Sequence, residues 1–212
     1  DVGVTRFLRA LTQFVMNVFL LFMIAGQLGM DSASIVAVLG AAGLALSLAL
    51  QQSLGNFAGG LLILIMKPFR VGDYIISPSG EGRVSMVGLV YTTILTTDNK
   101  AITIPNGTLS NSTVTNVTAM DKRMLELKVG IAYEADIRTA KAVLERVYRE
   151  HPMVKKDEDI KVFVDSLGDS SVVLGIRGWV ETSDYWQTRW DSQERIKLAF
   201  DEARIEIEYN KV

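Results

Sequence analysis

The sequence contains no cysteine and a single histidine, which removes several kinds of chemistry at once. Without cysteine the chain cannot form disulfides, use a thiol nucleophile or bind a metal through thiolates. The one histidine, His151, precedes Pro152 in a charged stretch, and a lone histidine in such a setting is expected at the protein surface. No metal-binding spacing, phosphate-binding loop or pairing of a nucleophile with a base is visible, so the sequence predicts no enzyme, metal site or cofactor.

Charge is nearly absent from the first third of the chain. Residues 1–66 carry four charged side chains, whereas residues 67–212 carry 20 lysines and arginines and 22 aspartates and glutamates. A segment so poor in charge is expected to face lipid or to lie deeply buried, and the remainder has the charge density of a water-soluble domain. The net charge of −2 gives no reason to expect nucleic acid as a partner.

Two membrane-spanning helices are predicted in this apolar region. Residues 11–30 are long enough, at about 1.5 Å per residue, to cross a hydrocarbon core of roughly 30 Å. Residues 32–66 hold no charge, but one straight helix of that length would be roughly 50 Å long. Because polar residues interrupt the run around Gln51, Gln52 and Ser53, we expect a hinge there. It would separate a spanning helix at residues 33–50 from a second helix at 54–66 along the membrane surface.

Topology follows from the basic residues beside the spans. Arg6 and Arg9 precede the first span, and Lys67 and Arg70 follow the second apolar run. The excess of positive charge on cytoplasmic loops places both ends in the cytoplasm, so we expect a plasma-membrane protein with a cytoplasmic C-terminal region. The first residue is aspartate rather than methionine, and a further segment is expected upstream of it.

The helix predicted at residues 33–50 is rich in small side chains. Glycine costs a helix roughly 1 kcal/mol relative to alanine, so its repetition needs a reason, and in membranes the usual reason is close approach between helices. The alternatives are packing inside one folded bundle and packing against copies of the same chain, and two visible spans favour the copies. The packing positions are Ala37, Gly40, Ala41, Gly43, Ala45 and Ser47.

Leu44 and Leu48 stand out among these small residues. They are four residues apart and therefore share one face of a helix. In a ring of identical helices they would form two stacked apolar collars, and such a constriction can stop ions by dewetting. The alternative is that both leucines face lipid.

The polar remainder of the chain predicts two further domains. Residues 67–120 contain short runs of β-branched residues separated by glycine- and asparagine-containing turns at 79–82, 98–99 and 106–107, which favours a small β-barrel. RNA binding on such a fold is disfavoured because no basic run is interleaved with aromatics. Residues 121–212 alternate in the order β-α-β-β-α-β, with a last strand at 205–209, which is typical of a ferredoxin-like α+β domain.

Several motifs together resemble the family of mechanosensitive channels of small conductance, the MscS family, over nearly the whole chain. The strongest matches, by residue number, are VLGAAGLALSLALQ at 38–51, SLGNFAGG at 53–60, KPFRVGDYI at 67–75, TDNK at 97–100 and IPNG at 104–107, with weaker similarity from GIAY at 130–133 to ERIK at 194–197.

This resemblance implies a fold, an assembly and a function. It implies a homoheptameric ring in lipid, with residues 1–66 as the second and third of three membrane helices, an Sm-like β domain at 67–120 and a ferredoxin-like domain at 121–212. Leu44 and Leu48 become the pore seal, and the small residues become the contacts between neighbouring pore helices. The implied activity is a channel that membrane tension opens, releasing ions and small solutes in hypoosmotic shock.

The sequence departs from the family pattern in two places. The best-known members have glycine where this chain has Ser47 and Gln52, and Gln52 is expected to stiffen the bend. The C-terminal tail has neither the glycine nor the prolines of other members, so a closing barrel of seven strands is not implied.

A membrane-anchored oligomeric scaffold and a ligand-gated channel of the same family remain as alternatives. A secondary transporter is disfavoured, because the spans lack ionisable groups.

Overall fold

Two long helices form the N-terminal third of the chain, in a computed structural model that describes residues 2–29 and 31–207. Helix α1 spans Val2–Gln27 and helix α2 spans Ser32–Met66. Each is long and apolar enough to cross a membrane, and none of the residues in their most apolar windows is buried within the chain. Helix α1 begins earlier than predicted because arginine is a good helix former, so Arg6 and Arg9 extend the helix.

Helix α2 is continuous, so residues 33–50 and 54–66 are not separate helices, whereas the hinge at Gln51, Gln52 and Ser53 stays a prediction. Gln51, Gln52 and Ser53 lie inside the helix with exposed side chains. Polar side chains alone do not interrupt a helix, because glutamine is a good helix former and neither residue type removes a backbone donor as proline does. Residues 54–66 are therefore the last part of one helix that is about 52 Å long.

The chain folds as two compact units. The first contains Asp1–Met66 together with two later segments, Val87–Thr92 and Thr103–Asn111. The second contains Lys67–Met86, Thr93–Ile102 and Ser112–Val212. The long helices thus share a unit with two segments of the region predicted as the Sm-like domain. The predicted domain boundaries at 66/67 and 120/121 remain predictions.

A five-stranded sheet follows the helices, in the order β4-β3-β2-β1-β5. The fifth strand returns to pair antiparallel with the first. Residues 80–82, predicted as a turn, lie in β2, where a Cβ on Gly82 would be 2.4 Å from the carbonyl oxygen of Leu95. The third predicted turn, Asn106-Gly107, begins a short helix α3. The bounds are β1 Tyr74–Ser77, β2 Gly80–Val87, β3 Tyr91–Leu95, β4 Ala101–Pro105, α3 Asn106–Ser110 and β5 Thr115–Asn116.

The last part of the chain has the predicted ferredoxin-like arrangement. Its three strands pair antiparallel in the order β6-β8-β7, and both helices contribute to the core, which includes Leu144 of α4 and Phe200 of α5. Where the last strand was predicted, one bridge joins Ile131 to Ile207, and residues 208–209 lie outside the described range. The bounds are β6 Lys122–Ile131, α4 Ile137–Glu150, β7 Lys161–Leu167, β8 Val172–Glu181 and α5 Tyr185–Glu202, with a 3-10 turn at Thr182–Asp184.

His151 is fully buried, so the expectation that it lies at the surface is wrong. It directly follows α4 as the C-terminal cap, and its side chain contacts Asp191 of α5. The charged neighbours in the sequence pointed to solvent, but a partner 40 residues later covers the ring. Local composition carries no information about such a contact.

Candidate pore helix and its docking site

The N-terminal part of α2 has three distinct faces. At roughly 100° per residue, Leu44 and Leu48 lie about 40° apart on one face, in line with Ala37. Large leucines occupy the opposite face, at positions 39, 46 and 50. The remaining small residues flank the Leu44–Leu48 face, with Gly40, Gly43 and Ser47 on one side and Ala41 and Ala45 on the other.

None of these faces is covered by another part of the chain that the structure describes. The side chains of Leu44 and Leu48 are 64% and 62% exposed, and a Cβ added at Gly40 or Gly43 would meet nothing within 4 Å. Glycine at two such positions destabilises an isolated helix by roughly 1 kcal/mol each. The cost is offset where other helices pack closely on both flanks, which leaves the two leucines facing the space between. The described residues 2–29 and 31–207 supply no such packing partner, and the roles of these positions as seal and packing residues stay predictions.

The C-terminal part of α2 is packed differently, against later segments of the same unit. A Cβ on Gly60 would lie 2.0 Å from the carbonyl oxygen of Leu89 and 2.5 Å from Asn106 Nδ2. A Cβ on Gly59 would lie 2.7 Å from Ser110 Oγ and 2.8 Å from the backbone of Asn106. Real Cβ atoms do not approach other atoms this closely, so both positions require glycine. We call this contact between α2, the 88–90 loop and α3 the docking site.

Asn106 connects the docking site through a buried hydrogen-bond network. Its side chain is fully buried, Oδ1 accepts from the Thr92 hydroxyl at 2.7 Å, and Nδ2 donates to the Gly88 carbonyl at 2.8 Å. Its backbone N–H donates to the Val90 carbonyl at 2.9 Å. Both ends of the amide are used, so no other side chain of this size could replace it without leaving a buried group unpaired.

A further hydrogen bond links α2 directly to α3. Gly107 N–H donates to Asn56 Oδ1 at 3.1 Å, and a Cβ on Gly107 would lie 2.7 Å from that oxygen. Ile63, one turn beyond Gly59, is only 3% exposed. Phe57, Leu61, Leu62 and Ile65 are exposed and form an apolar face apart from the docked face.

The docking site was missed in the sequence, although one signal for it was present. The sequence predicts only a turn at Asn106-Gly107, and Gly59-Gly60 stand out only as part of a family motif. Adjacent glycines inside a helix destabilise it by roughly 1 kcal/mol each, so they indicate a close approach by another segment. The same argument had been applied to Gly40 and Gly43, and it holds for this second pair with the partner inside the chain.

Replacing Asn106 with aspartate tests the network. The Asn106→Asp variant exchanges the Nδ2 donor for an oxygen facing the Gly88 carbonyl, so a hydrogen bond becomes a repulsion in a buried site. We expect a loss of roughly 2–4 kcal/mol in the free energy of unfolding, measured by thermal or denaturant unfolding in detergent. The matched control is Asn99→Asp at an exposed turn position with φ 65°, which both residue types tolerate, and equal losses in the two variants would contradict the network.

Long apolar helices that lead into a five-stranded sheet and a ferredoxin-like domain define a class of membrane protein, and comparisons with known proteins identify its family. Residues 13–51 match the family model described as "Mechanosensitive ion channel, transmembrane helices 2/3". Residues 52–119 match "Mechanosensitive ion channel, beta-domain", and residues 125–207 match "Mechanosensitive ion channel MscS, C-terminal".

Relatives from several bacteria agree with these models. An uncharacterised MscS family protein of Buchnera aphidicola subsp. Baizongia pistaciae is 36% identical over 209 residues, which cover 99% of this chain and 74% of that protein. The small-conductance mechanosensitive channel of Edwardsiella ictaluri is 37% identical, covering 99% and 73%. The crystal structure of Helicobacter pylori MscS in its closed state superposes with a TM-score of 0.87 at 31% identity, covering 96% and 81%. The chain belongs to the MscS family of mechanosensitive ion channels, and the predicted resemblance is confirmed.

Proposed function

We propose that this membrane protein is a channel opened by membrane tension, which releases ions and small solutes when hypoosmotic shock stretches the membrane. Identical chains, seven by family resemblance, surround the pore with their α2 helices, in a plasma membrane with the C-terminal domains in the cytoplasm. An open ring occupies more membrane area than a closed one, so tension favours opening in proportion to that difference in area. No cofactor is needed for this work.

The observation that best supports this proposal is the distribution of small and large residues around the face of α2 that holds Leu44 and Leu48. Two exposed leucines lie between flanks of small residues, and larger leucines occupy the opposite side. Close packing along both flanks turns Leu44 and Leu48 toward a common axis, where they narrow and dry the pore. The large leucines then face lipid. The small flanks allow neighbouring helices to slide past one another as the ring widens.

The docking site gives the pore helix a mechanical attachment. Gly59 and Gly60 hold the end of α2 against residues 87–92 and 103–111, and Asn106 locks those segments together. In the proposed channel, tension moves the spanning part of α2 while its end stays attached. The helix between the seal and the docking site, which includes Gln51, Gln52 and Ser53, therefore takes up the strain.

Two alternatives share the same fold and are separated by current recordings. An oligomeric scaffold without a pore would leave the leucine face between two small-residue flanks without a role. A ligand-gated channel would open at constant tension when its ligand is added, and nothing in the described residues singles out such a ligand.

Patch-clamp recording of the protein in liposomes under graded suction tests the proposal. We expect stepwise currents whose open probability rises with tension, from an oligomer that native mass spectrometry counts as seven chains. Silence in a correctly inserted oligomer would contradict the channel and favour the scaffold. Currents that ignore suction would favour gating by a ligand.

Gln52 is expected to slow the loss of current under sustained tension. Glycine at this position would loosen the helix by roughly 1 kcal/mol and allow it to bend. The Gln52→Gly variant should therefore lose current faster than the wild type in patches held at constant suction.

The matched control for this prediction is Gln52→Ala, which removes the polar side chain but keeps a strong helix former. If stiffness is the cause, the alanine variant keeps its current as the wild type does. Equal decay in the wild type and the glycine variant would contradict the prediction, and decay in the alanine variant would assign the effect to the amide group.

A further inference from the structure

His151 lies fully buried in the seam between α4 and α5 of the ferredoxin-like domain. Its Nδ1 accepts a hydrogen bond from the backbone N–H of Met153, with the two nitrogens 3.2 Å apart, so the neutral ring carries its proton on Nε2. Nε2 lies 2.8 Å from Asp191 Oδ2 but is not aligned for a hydrogen bond. The neutral imidazole therefore fills the seam and touches a carboxylate of the other helix.

The carboxylate of Asp191 also binds a cation. Its Oδ2 accepts a hydrogen bond from Arg195 Nε at 2.9 Å, one turn further along α5. A charged imidazole would therefore compete with Arg195 for one oxygen and would carry its charge into a buried site. Burying a charge without full compensation is costly, so the seam favours the neutral ring.

Two further charged groups near the seam, Arg189 and Glu126, act on Tyr148 and are not among those that act on the imidazole. On α4, Tyr148 is fully buried, and burial raises the pKa of its hydroxyl, so it stays neutral. On the sheet side, a Cβ added at Gly178 of β8 would lie 2.8 Å from the ring of Tyr148 and 3.3 Å from Val154, so uncharged groups close this side. Asp191 and Arg195, both on α5, are the charged groups that act on the imidazole.

We propose that His151 and Asp191 form an acid-sensitive latch between α4 and α5, closed when the imidazole is neutral and weakened when it takes up a proton. The inference concerns the ferredoxin-like domain and does not depend on the proposed gating by tension. The ligand that controls the latch is the proton, and the contact that opens is the seam between the two helices.

The direction of the pH effect follows from the environment of the ring. Burial lowers the pKa of His151 below its ordinary value of 6.5, attraction to Asp191 offsets part of that, and Arg195 lowers it further. When the seam opens, the ring regains its ordinary pKa and binds a proton more readily than in the closed seam. The latch therefore gives its full contribution to the stability of the closed seam above pH 6.5. This contribution falls as the pH drops from 6.5 toward the lowered pKa of His151.

The test compares the wild type with His151→Gln in the full-length protein, between pH 8 and pH 5. Glutamine can donate to Asp191 and accept from Met153 N–H, but it does not titrate. Thermal unfolding reports on the stability of the domain, and tryptophan fluorescence reports on α5, which carries the exposed Trp186 and Trp190. Below pH 6.5 we expect the open–closed equilibrium of the wild type to shift about tenfold per pH unit, until the lowered pKa is reached.

We expect the H151Q variant to lose markedly less stability over the same range. If both proteins lose stability in parallel, the titrating groups are carboxylates and the latch is wrong. Should H151Q fail to fold, Asp191→Asn provides the second test. It removes the group that raises the pKa of His151, so its acid sensitivity should exceed that of the wild type. An unchanged pH profile in that variant would also overturn the latch.

Discussion

Replacing Leu48 with serine should lower the membrane tension at which the channel opens, and channels should flicker open at rest. In the proposed channel the leucine collar holds the pore closed by excluding water, and a hydroxyl in each subunit would wet it. In the proposed ring, replacing one leucine of the collar removes roughly 2 kcal/mol of stabilisation by apolar burial from the closed state. This loss is summed over all the chains in the ring. The measurement is the suction needed for half-maximal open probability in liposome patches, with wild type and Leu48→Ser at equal protein density.

Leu46→Ser is the matched control for this experiment. Leu46 and Leu48 are almost equally exposed within the chain, at 61% and 62%, yet they lie about 160° apart around the helix. A serine at position 46 is expected to face lipid and to leave the threshold near that of the wild type. An unchanged threshold in Leu48→Ser, or an equal shift in both variants, would make us withdraw the seal assignment.

The parts of the fold that follow from local pattern could be predicted from the sequence. An uncharged stretch of 35 residues, from position 32 to 66, indicates a membrane helix whatever surrounds it, and the flanks of small residues beside Leu44 and Leu48 follow from helical geometry alone. Alternating strands and helices likewise indicated the ferredoxin-like domain. In each case the residues of one element are enough to predict that element, without knowledge of its contacts.

The predictions that failed concern two kinds of feature. Some depend on partners far along the chain, and others depend on whether local polarity or helix propensity is the stronger influence. Gln51 and Gln52 interrupt the hydrophobicity of α2 but not its backbone hydrogen bonds, so polarity was mistaken for a break. His151 is buried by Asp191 of another helix, and the docking of Gly60 depends on Leu89 and Asn106. Such contacts have no local signature except the unexplained cost of the glycines themselves.

Gly60→Ala is expected to weaken the docking site, although the same change stabilises most helices. Alanine in place of glycine favours a helix by roughly 1 kcal/mol. At Gly60, however, the added methyl would lie 2.0 Å from the carbonyl oxygen of Leu89, which is backbone and cannot swing aside. Overpacking of this kind costs roughly 1–3 kcal/mol or more, so we expect a net loss of stability. Calorimetry should show a Tm lower by roughly 2–4 °C for each kcal/mol lost.

Hydrogen exchange locates the effect, and Gly55→Ala provides the control on the same helix. In Gly60→Ala the backbone N–H of Gly107, which donates to Asn56, should exchange faster because α2 is pushed away from α3. A Cβ on Gly55 meets nothing within 4 Å, so that variant should gain the helix stability and keep the slow exchange. The two substitutions change the same atoms on one helix, so opposite signs can come only from what each methyl meets. A stability gain in both variants would show that α2 does not dock through Gly60.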